Sequence, residues 1–313
     1  MDLDYSNIDA QVLTGLHLMP AGLGDLTRDT VVSVRSMRAE AAPPPAETNL
    51  SIEERWLTAD HGEVRVVIYG PPHREVRPGL LWVHGGGYVI GTAEDDRARV
   101  FAEELDCRVV SVDYRLAPEH PFPAGIDDCY ASLVWMAEHA SELAIDPARI
   151  AVGGQSGGGG MAAGLVLLNR DRGGPELVLQ LLMYPMIDNL HDTPSGSYAN
   201  HPVWNRATSL RAWEMYLDGT PGLDASLYAA ATRADDVGGL PSTFICVGAE
   251  DLFRDENVDY ARRLIAAGVP TELAVFPGMY HGGDMFVPDA LVSRRLTASF
   301  MQALSDAFAQ PRS

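Results

Sequence analysis

The sharpest chemical signal in the chain is a serine between glycines. Gly154, Ser156 and Gly158 form a GxSxG pentapeptide directly after the apolar run 150–153 and before a helix-like segment. A serine on a tight strand-to-helix turn exposes its hydroxyl as a nucleophile, and small neighbours let two backbone segments cross there. A glycine-rich phosphate loop is the alternative, but the sequence has no lysine and no GxGxxG with nucleotide-site spacing. The pattern predicts that Ser156 is a nucleophile.

A second glycine cluster follows another apolar run. His84-Gly85-Gly86-Gly87 comes directly after residues 80–83. The N–H groups of consecutive glycines can form a nest for an anion, which is what a tetrahedral oxyanion requires. We interpret His84 as a brace for this loop rather than as a base.

An acid and a histidine follow in the order that such a serine site needs, which is serine, acid, histidine. Asp251 ends one apolar strand, and His281 follows the next one. Because the carboxyl ends of parallel strands meet at one edge of a sheet, we expect both side chains beside Ser156.

Three other acids compete with Asp251, namely Glu250, Asp255 and Asp284. Asp255 is the main rival, but it lies one helical turn further on, where capping of a helix is its simplest role. The remaining histidines are expected at the surface or in capping positions: His17, His61, His73, His120, His139, His191 and His201. The sequence contains no HExxH or other zinc spacing, so we expect no metal and no cofactor.

Composition narrows the classes of partner. The 313 residues are 46% hydrophobic and carry a formal net charge of −20, so we expect no nucleic-acid or membrane partner.

The chain has no lysine, since all 23 residues counted as Lys or Arg are arginine. This absence excludes Schiff-base, Walker-A and Ser–Lys chemistry. Cys107, Cys129 and Cys246 are odd in number and widely spaced, which favours reduced thiols and a cytoplasmic location.

Strand-like and helix-like segments alternate after a predicted hairpin of 54–59 and 64–69. Apolar strands that alternate with helices predict an α/β fold with a mostly parallel sheet and helices on both faces. The further predicted strands are 80–83, 108–114, 149–153, 177–183, 243–247 and 273–276. The predicted helices are 93–105, 126–140, 157–170, 256–267 and 288–308.

Two stretches break this alternation. Residues 1–50 have the pattern of short amphipathic helices ending at Pro43-Pro44-Pro45, and we interpret them as an N-terminal cap segment. Residues 186–240 are rich in Pro, Gly, His and Trp, with a helical piece near 209–217, and are interpreted as a cap insertion. Residues 51–185 and 241–313 then form the core.

Taken together, the motifs resemble the bacterial hormone-sensitive-lipase-like esterases, or family IV, of the α/β-hydrolase fold. The matching stretches follow the family's order: His84 to Gly87, Val112 to Glu119, Phe122 to Ala124, Gly154 to Gly158, Asp251 to Glu256, and His281-Gly282. The resemblance implies an α/β-hydrolase fold with a helical cap. It also implies a serine carboxylesterase that cleaves small, short-acyl esters and, since relatives are often dimeric, a homodimer.

The resemblance also implies roles for individual residues. Ser156 is the expected nucleophile, with Asp251 and His281 as its partners in a catalytic triad. The expected oxyanion hole consists of the N–H groups of Gly86, Gly87 and Gly157.

The chain departs from the family pattern beside both the serine and the histidine. The usual Gly-Asp-Ser-Ala-Gly is Gly-Gln-Ser-Gly-Gly here, so Gln155 removes a carboxylate next to the nucleophile. This glutamine, the glycines after Ser156 and the segment 203–206 resemble the heroin-esterase branch. Gly283-Asp284 stands where the family has an aromatic residue, which predicts a looser histidine loop.

Two alternatives stay open at this point. An amide, carbamate or lactone hydrolase would use the same triad, because the triad serves all acyl transfers. A non-hydrolytic receptor or dehydratase relative is less favoured, because such relatives alter the serine or the histidine, and Ser156 and His281 are both present.

Overall fold

The computed structural model describes residues 1–18, 23–42 and 46–309. The predicted break at Pro43-Pro44-Pro45 lies outside the described residues. Within those ranges the chain forms one eight-stranded sheet in the order β1-β2-β4-β3-β5-β6-β7-β8. The strands are β1 Ser51–Ala59, β2 Gly62–Gly70, β3 Arg77–Val83, β4 Arg108–Asp113, β5 Ile145–Gln155, β6 Leu179–Met183, β7 Thr243–Gly248 and β8 Thr271–Phe276.

The sheet is mostly parallel, as predicted. Strand β2 runs antiparallel to β1 and to β4, and the other neighbouring strands run parallel to each other. The predicted hairpin is therefore β1–β2, at one edge of the sheet. The carboxyl ends of β3, β5, β7 and β8 meet along the same edge, as the sequence analysis requires.

Helices connect the parallel strands close to where the sequence predicts them. The helices of the described residues are α1 Ala10–Leu13, α2 Val31–Ala41, α3 Asp96–Glu104, α4 Ala124–Glu138, α5 Gly157–Asp171, α6 Arg206–Leu217, α7 Arg254–Ala266, α8 Gly283–Phe286 and α9 Leu291–Ala309. Helix α3 begins at Asp96 rather than at residue 93, because the Asp95 side chain accepts the N–H of Arg97 at 2.8 Å and caps the helix there. No helix in the described ranges is long and apolar enough to span a lipid bilayer.

The core lies between the sheet and the helices on its two faces. Helix α5 is buried from Gly157 to Asn169, because β5, β6 and α4 pack around it. Helices α3 and α9 meet through Phe101 and Phe300, whose ring centroids are 5.6 Å apart. Burial of strands from both sides explains why the sequence shows continuous apolar runs rather than alternation.

The two stretches outside the alternating pattern contact each other. Arg28, near the start of α2, pairs with Asp218 at the end of α6 at 2.8 Å. The Arg211 side chain on α6 donates to the carbonyl oxygen of Leu26 at 2.8 Å. The N-terminal segment and the insertion therefore lie together, while the exact boundaries of the cap and core segments stay a prediction.

Close backbone contacts fix the turn between β5 and α5 against the loop after β3. A Cβ atom at Gly158 would lie 2.2 Å from the carbonyl oxygens of Val83 and His84. A Cβ at Gly154 would lie 2.3 Å from the Gly158 carbonyl oxygen. No side chain fits at either position, which explains why glycines flank Ser156.

Candidate active site

Ser156 lies on a strained turn at the carboxyl end of β5. Its backbone has φ 54° and ψ −123°, in the left-handed half of the φ range, where a residue with a side chain is disfavoured. The Ser156 N–H donates to the Met183 carbonyl oxygen at 2.9 Å, which ties the turn to the end of β6. The turn leaves the Ser156 side chain only partly buried, at the mouth of a cavity.

Three predicted side chains form one hydrogen-bonded chain. Ser156 Oγ lies 2.8 Å from His281 Nε2, and His281 Nδ1 lies 2.8 Å from Asp251 Oδ2. Asp251 is fully buried, and its second oxygen accepts the N–H of Phe253 at 2.8 Å. The carboxylate is therefore held from both sides, and it accepts from Nδ1 while Nε2 faces the serine.

Aromatic rings restrict the orientation of His281. The rings of Tyr184 and Phe253 each stand edge-on to the imidazole, with centroids 4.9 Å away. His281 is only 4% exposed. The imidazole therefore has little freedom to rotate away from Ser156.

The glycine loop lies directly against this turn. A Cβ at Gly157 would lie 2.7 Å from the Gly87 backbone nitrogen, which shows how closely the two segments approach. Gly86 and Gly87 have φ of 119° and 58°, which favour glycine. Gly157 is the first residue of α5, and the first N–H groups of a helix have no acceptor within it. Gly87 and Gly157 thus meet next to Ser156, and Gly86 lines the same cavity as Ser156.

His84 braces the loop, in agreement with the interpretation of the sequence. Its Nδ1 lies 2.8 Å from the Gly85 carbonyl oxygen, and its ring stacks on Tyr114 with centroids 4.3 Å apart. The Tyr114 hydroxyl donates to the His84 carbonyl oxygen at 3.0 Å. Burial lowers the pKa of His84, so the imidazole stays neutral.

A cavity of about 310 Å³ opens in front of Ser156. Residues from the glycine loop, from the N-terminal segment and from the insertion line it, including Leu23, Val203 and Trp204. Trp204 lies over the glycine loop, since a Cβ at Gly87 would lie 2.3 Å from its Cζ2 atom. Another cavity of about 410 Å³, beside residues 169–178, does not contact the three-residue chain.

The cavity has an acidic side. Glu94, Asp95 and Asp96 line it, together with Arg38 from α2. A hydrogen bond from Arg65 lowers the pKa of Glu94 to about 2, so this carboxylate is charged at neutral pH. The Asp96 side chain is 73% exposed. Three carboxylates therefore lie on this side of the cavity, where Glu94 pairs with Arg65 and Asp96 pairs with Arg99.

The competing acids lie elsewhere, and the predictions about two of them were wrong. Asp255 does not cap a helix, because α7 begins at Arg254 and has no side-chain cap. Asp255 instead accepts the N–H of Ser195 at 2.8 Å and so holds the insertion. Glu250 contributes its backbone carbonyl to His201. Asp284 pairs with Arg97, which ties down the histidine loop, contrary to the looser loop expected from the sequence.

Two histidines expected at the surface are buried. His191 is 1% exposed and His201 is 3% exposed. His191 bonds to Ser209 and Glu256, at 2.7 and 3.3 Å, inside the insertion–core contact. No motif marks either residue, so their burial could not have been read from the sequence.

His201 contacts the proposed catalytic histidine. Its Nε2 lies 3.1 Å from the Glu250 carbonyl oxygen and 3.5 Å from the His281 backbone nitrogen. Burial lowers the pKa of His201 to about 4, so the ring is neutral at physiological pH. His201 connects the insertion to the loop that carries His281.

Metal-ligating side chains do not gather in the described ranges: no three His, Cys, Asp or Glu residues lie close enough to hold an ion. Cys107, Cys129 and Cys246 are buried free thiols. The expected burial of Cys246 is thus confirmed.

Comparison with known proteins supports the same chemistry. A family model described as the alpha/beta hydrolase fold matches residues 80–285. Carboxylesterase NlhH of Mycobacterium tuberculosis is 42% identical over 258 residues, which cover 79% of each chain. Esterase LipI of the same organism is 35% identical, covering 88% of this chain and 87% of LipI. The solved structure of a bacterial heroin esterase superposes with a TM-score of 0.91 at 36% identity, covering 98% of this chain and 99% of that one.

The geometry predicts different losses for the two rival acids. We expect Asp251→Asn to lower kcat for p-nitrophenyl acetate on the order of 10⁴-fold, because an amide no longer holds the Nδ1–H tautomer of His281. Asp255→Asn keeps an acceptor for Ser195, so its kcat should stay within about three-fold of wild type. Steady-state kinetics on both variants, with thermal melting as a check of folding, measure this. A large loss confined to Asp255→Asn would contradict the assignment.

The buried histidines predict a loss of stability in mild acid. In the unfolded chain His201 titrates near about pH 6.5, whereas in the folded protein its pKa is about 4. The unfolded state thus binds more protons between these values, so the stabilisation is full above about pH 6.5 and is lost as pH falls toward 4. The loss is roughly 1–2 kcal/mol for one such histidine at about pH 5.

Urea unfolding at two pH values measures this contribution. His201→Asn should remove its share of the difference in unfolding free energy between pH 7.5 and pH 5. His17→Asn, at an exposed histidine, is the matched control and should leave the difference unchanged. Equal pH dependence in wild type and His201→Asn would show that His201 does not titrate in this way.

Proposed function

The chain belongs to the alpha/beta hydrolase family and is a serine carboxylic ester hydrolase, and on this basis we propose that Ser156, His281 and Asp251 carry its chemistry. The observation that supports this assignment best is the pair of 2.8 Å contacts from Ser156 to His281 and from His281 to Asp251. The strained backbone of Ser156 is a second support, since strain of this kind is concentrated at functional sites.

In the proposed mechanism His281 acts first as a base and then as an acid. Its Nε2 takes the proton of Ser156 as the serine oxygen attacks the ester carbonyl, and Asp251 stabilises the imidazolium that forms. The imidazolium then protonates the leaving alcohol. A water molecule then gives a proton to the same nitrogen as it attacks the acyl-enzyme, and the imidazolium returns that proton to the Ser156 oxygen as the acid is released.

The N–H groups of Gly86, Gly87 and Gly157 are the proposed oxyanion donors. The close approach of Gly87 to Gly157, with Gly86 beside it in the loop, supports this proposal, because negative charge develops on the carbonyl oxygen that Ser156 attacks. Donors that are already oriented need no reorganisation during the reaction, and one such donor is typically worth about 10²–10³-fold in rate.

The substrates are small-molecule esters, and we propose that short-acyl, neutral or cationic esters are preferred. The cavity volume of about 310 Å³ is at the lower end for ligand sites and is compatible with small esters. The acidic residues Glu94, Asp95 and Asp96 on its wall disfavour anionic groups. None of the relatives described above favours an amide, carbamate or lactone substrate instead.

We also propose a cytoplasmic location, without nucleic-acid or membrane partners. The three buried free thiols and the formal charge of −20 support this proposal. A homodimer stays a prediction.

Replacing the nucleophile tests the proposed mechanism directly. Ser156→Ala should lower turnover of p-nitrophenyl acetate on the order of 10⁶-fold and abolish labelling by a fluorophosphonate, while the fold is retained. Ser197→Ala, at a serine of the insertion that bonds to the Pro194 carbonyl, is the matched control and should keep full activity. Activity above a few per cent in Ser156→Ala, with a purified and folded protein, would refute the assignment.

A pair of esters that match in shape but differ in charge tests the proposed preference. Acetylcholine and its neutral isostere 3,3-dimethylbutyl acetate differ in charge but hardly in shape, so the ratio of their kcat/KM values reports electrostatics. We expect a ratio a few-fold above one that falls with added salt and in Asp96→Asn. Asp259→Asn removes an equal charge on α7, away from the cavity, and should leave the ratio unchanged. A ratio that does not depend on salt or on Asp96 would contradict the proposal.

A further inference from the structure

Arg97 connects the two loops that carry the proposed nucleophile and base. It lies in the first turn of α3, and its Nε donates to Gln155 Oε1 at 3.2 Å. Its terminal nitrogen donates to Asp284 Oδ2. Gln155 directly precedes Ser156, and Asp284 follows His281 by three residues. One guanidinium therefore bonds to both segments.

This pair is buried rather than a surface ion pair. The Arg97 side chain is 15% exposed and that of Asp284 is 1% exposed. The guanidinium lies over the ring of Phe300, 5.2 Å from its centroid. Asp284 Oδ1 is buried and has no hydrogen-bond partner among the described residues, so Arg97 is the cation on which this carboxylate depends.

Tyr184 brings the pair into contact with His281. Its hydroxyl lies 3.5 Å from both Gln155 Oε1 and the Arg97 terminal nitrogen. Its ring stands edge-on to the imidazole of His281. A shift of Arg97 would therefore move groups on both sides of the Ser156–His281 hydrogen bond.

Because both side chains face Arg97, the charge that is tolerated at position 155 depends on the charge at position 284. Arg97 carries one positive charge, and Asp284 supplies the one carboxylate that pairs with it. A second carboxylate at position 155 would face the same guanidinium in a buried site, where two like charges destabilise each other. A neutral side chain at position 155 fits only while the acid stands at position 284.

We propose that Arg97 and Asp284 are positioning residues that hold the His281 loop against the Ser156 turn, and that Gln155 is neutral because Asp284 provides the carboxylate. The two departures from the family pattern are then coupled, because together they leave one carboxylate that faces Arg97. This inference rests on the proposed roles of Ser156 and His281.

Exchanging the two charges tests the proposal with isosteric variants. Gln155→Glu places two carboxylates on Arg97, and Asp284→Asn leaves none. Each should lower kcat by about 10-fold or more, with KM changed no more than a few-fold, because misplacement of reacting groups on the order of 1 Å costs up to about 10²-fold in rate. The double variant Gln155→Glu/Asp284→Asn restores one carboxylate and should recover kcat to within about three-fold of wild type.

The rate at which a fluorophosphonate labels Ser156 gives a second readout. It reports alignment of Ser156 with His281 without deacylation, so it should fall in both single variants and recover in the double variant. Asp146→Asn, which removes one half of the Asp146–Arg149 pair at the other end of β5, is the control for loss of a partly buried ion pair. It should leave both rates unchanged.

Each outcome supports or overturns the proposal. If the effects of the two single variants multiply in the double variant, or if both single variants keep wild-type kcat, the proposal is wrong. If Asp284→Asn fails to fold, a folded and active double variant supports the proposal, and an unfolded double variant overturns it. Ser156→Ala distinguishes failure of this inference from failure of the proposed function. If Ser156→Ala is inactive and the double variant does not recover, only this inference is refuted. If Ser156→Ala is active, the proposed function itself is refuted.

Discussion

The crossing of two backbone segments at the edge of the sheet is the constraint on which the rest of the site depends. At Gly158 the helix start lies so close to the end of β3 that a Cβ would be 2.2 Å from two carbonyl oxygens. This approach forces Ser156 into its strained turn and sets the Gly86–Gly87 loop beside it. The distance between the proposed nucleophile and the proposed oxyanion donors is thus fixed by main-chain packing, which is more rigid than any arrangement of flexible side chains.

The side chains of Asp251 and His281 complete the site that the main chain positions. Asp251 and His281 each follow a parallel strand, so the sheet itself brings them within hydrogen-bond distance of each other and of Ser156. Buried polar contacts from α3, through Arg97, and from the insertion, through His201, hold the histidine loop in place. Because such contacts are made away from water, each is strong when complete and costly when a partner is lost.

The sequence predicted the parts of the site that depend on local pattern. The meeting of Ser156, Asp251 and His281 follows from motifs placed at strand ends, and alternating apolar runs identified those ends. The burial of His201 and the ion pair of Asp284 were not predicted, because their partners are distant in sequence and belong to no repeating pattern. The looser loop expected at Asp284 was wrong for this reason. Where the family has a large aromatic side chain, this chain has a carboxylate, and its ion pair with Arg97 ties the loop to α3.

The contact between the N-terminal segment and the insertion affects how the protein folds. Arg28 and Asp218 are 190 residues apart, so their pairing closes a very long loop. Their side chains are 53% and 61% exposed, and an ion pair in such a place contributes little free energy. Contacts between segments this far apart in sequence are expected to form slowly during folding, because a long loop must close before they are made. The buried rings of Trp213 and Tyr216 on α6, which pack on Tyr88 beside the glycine loop, therefore hold the insertion against the sheet more strongly than the exposed ion pair does.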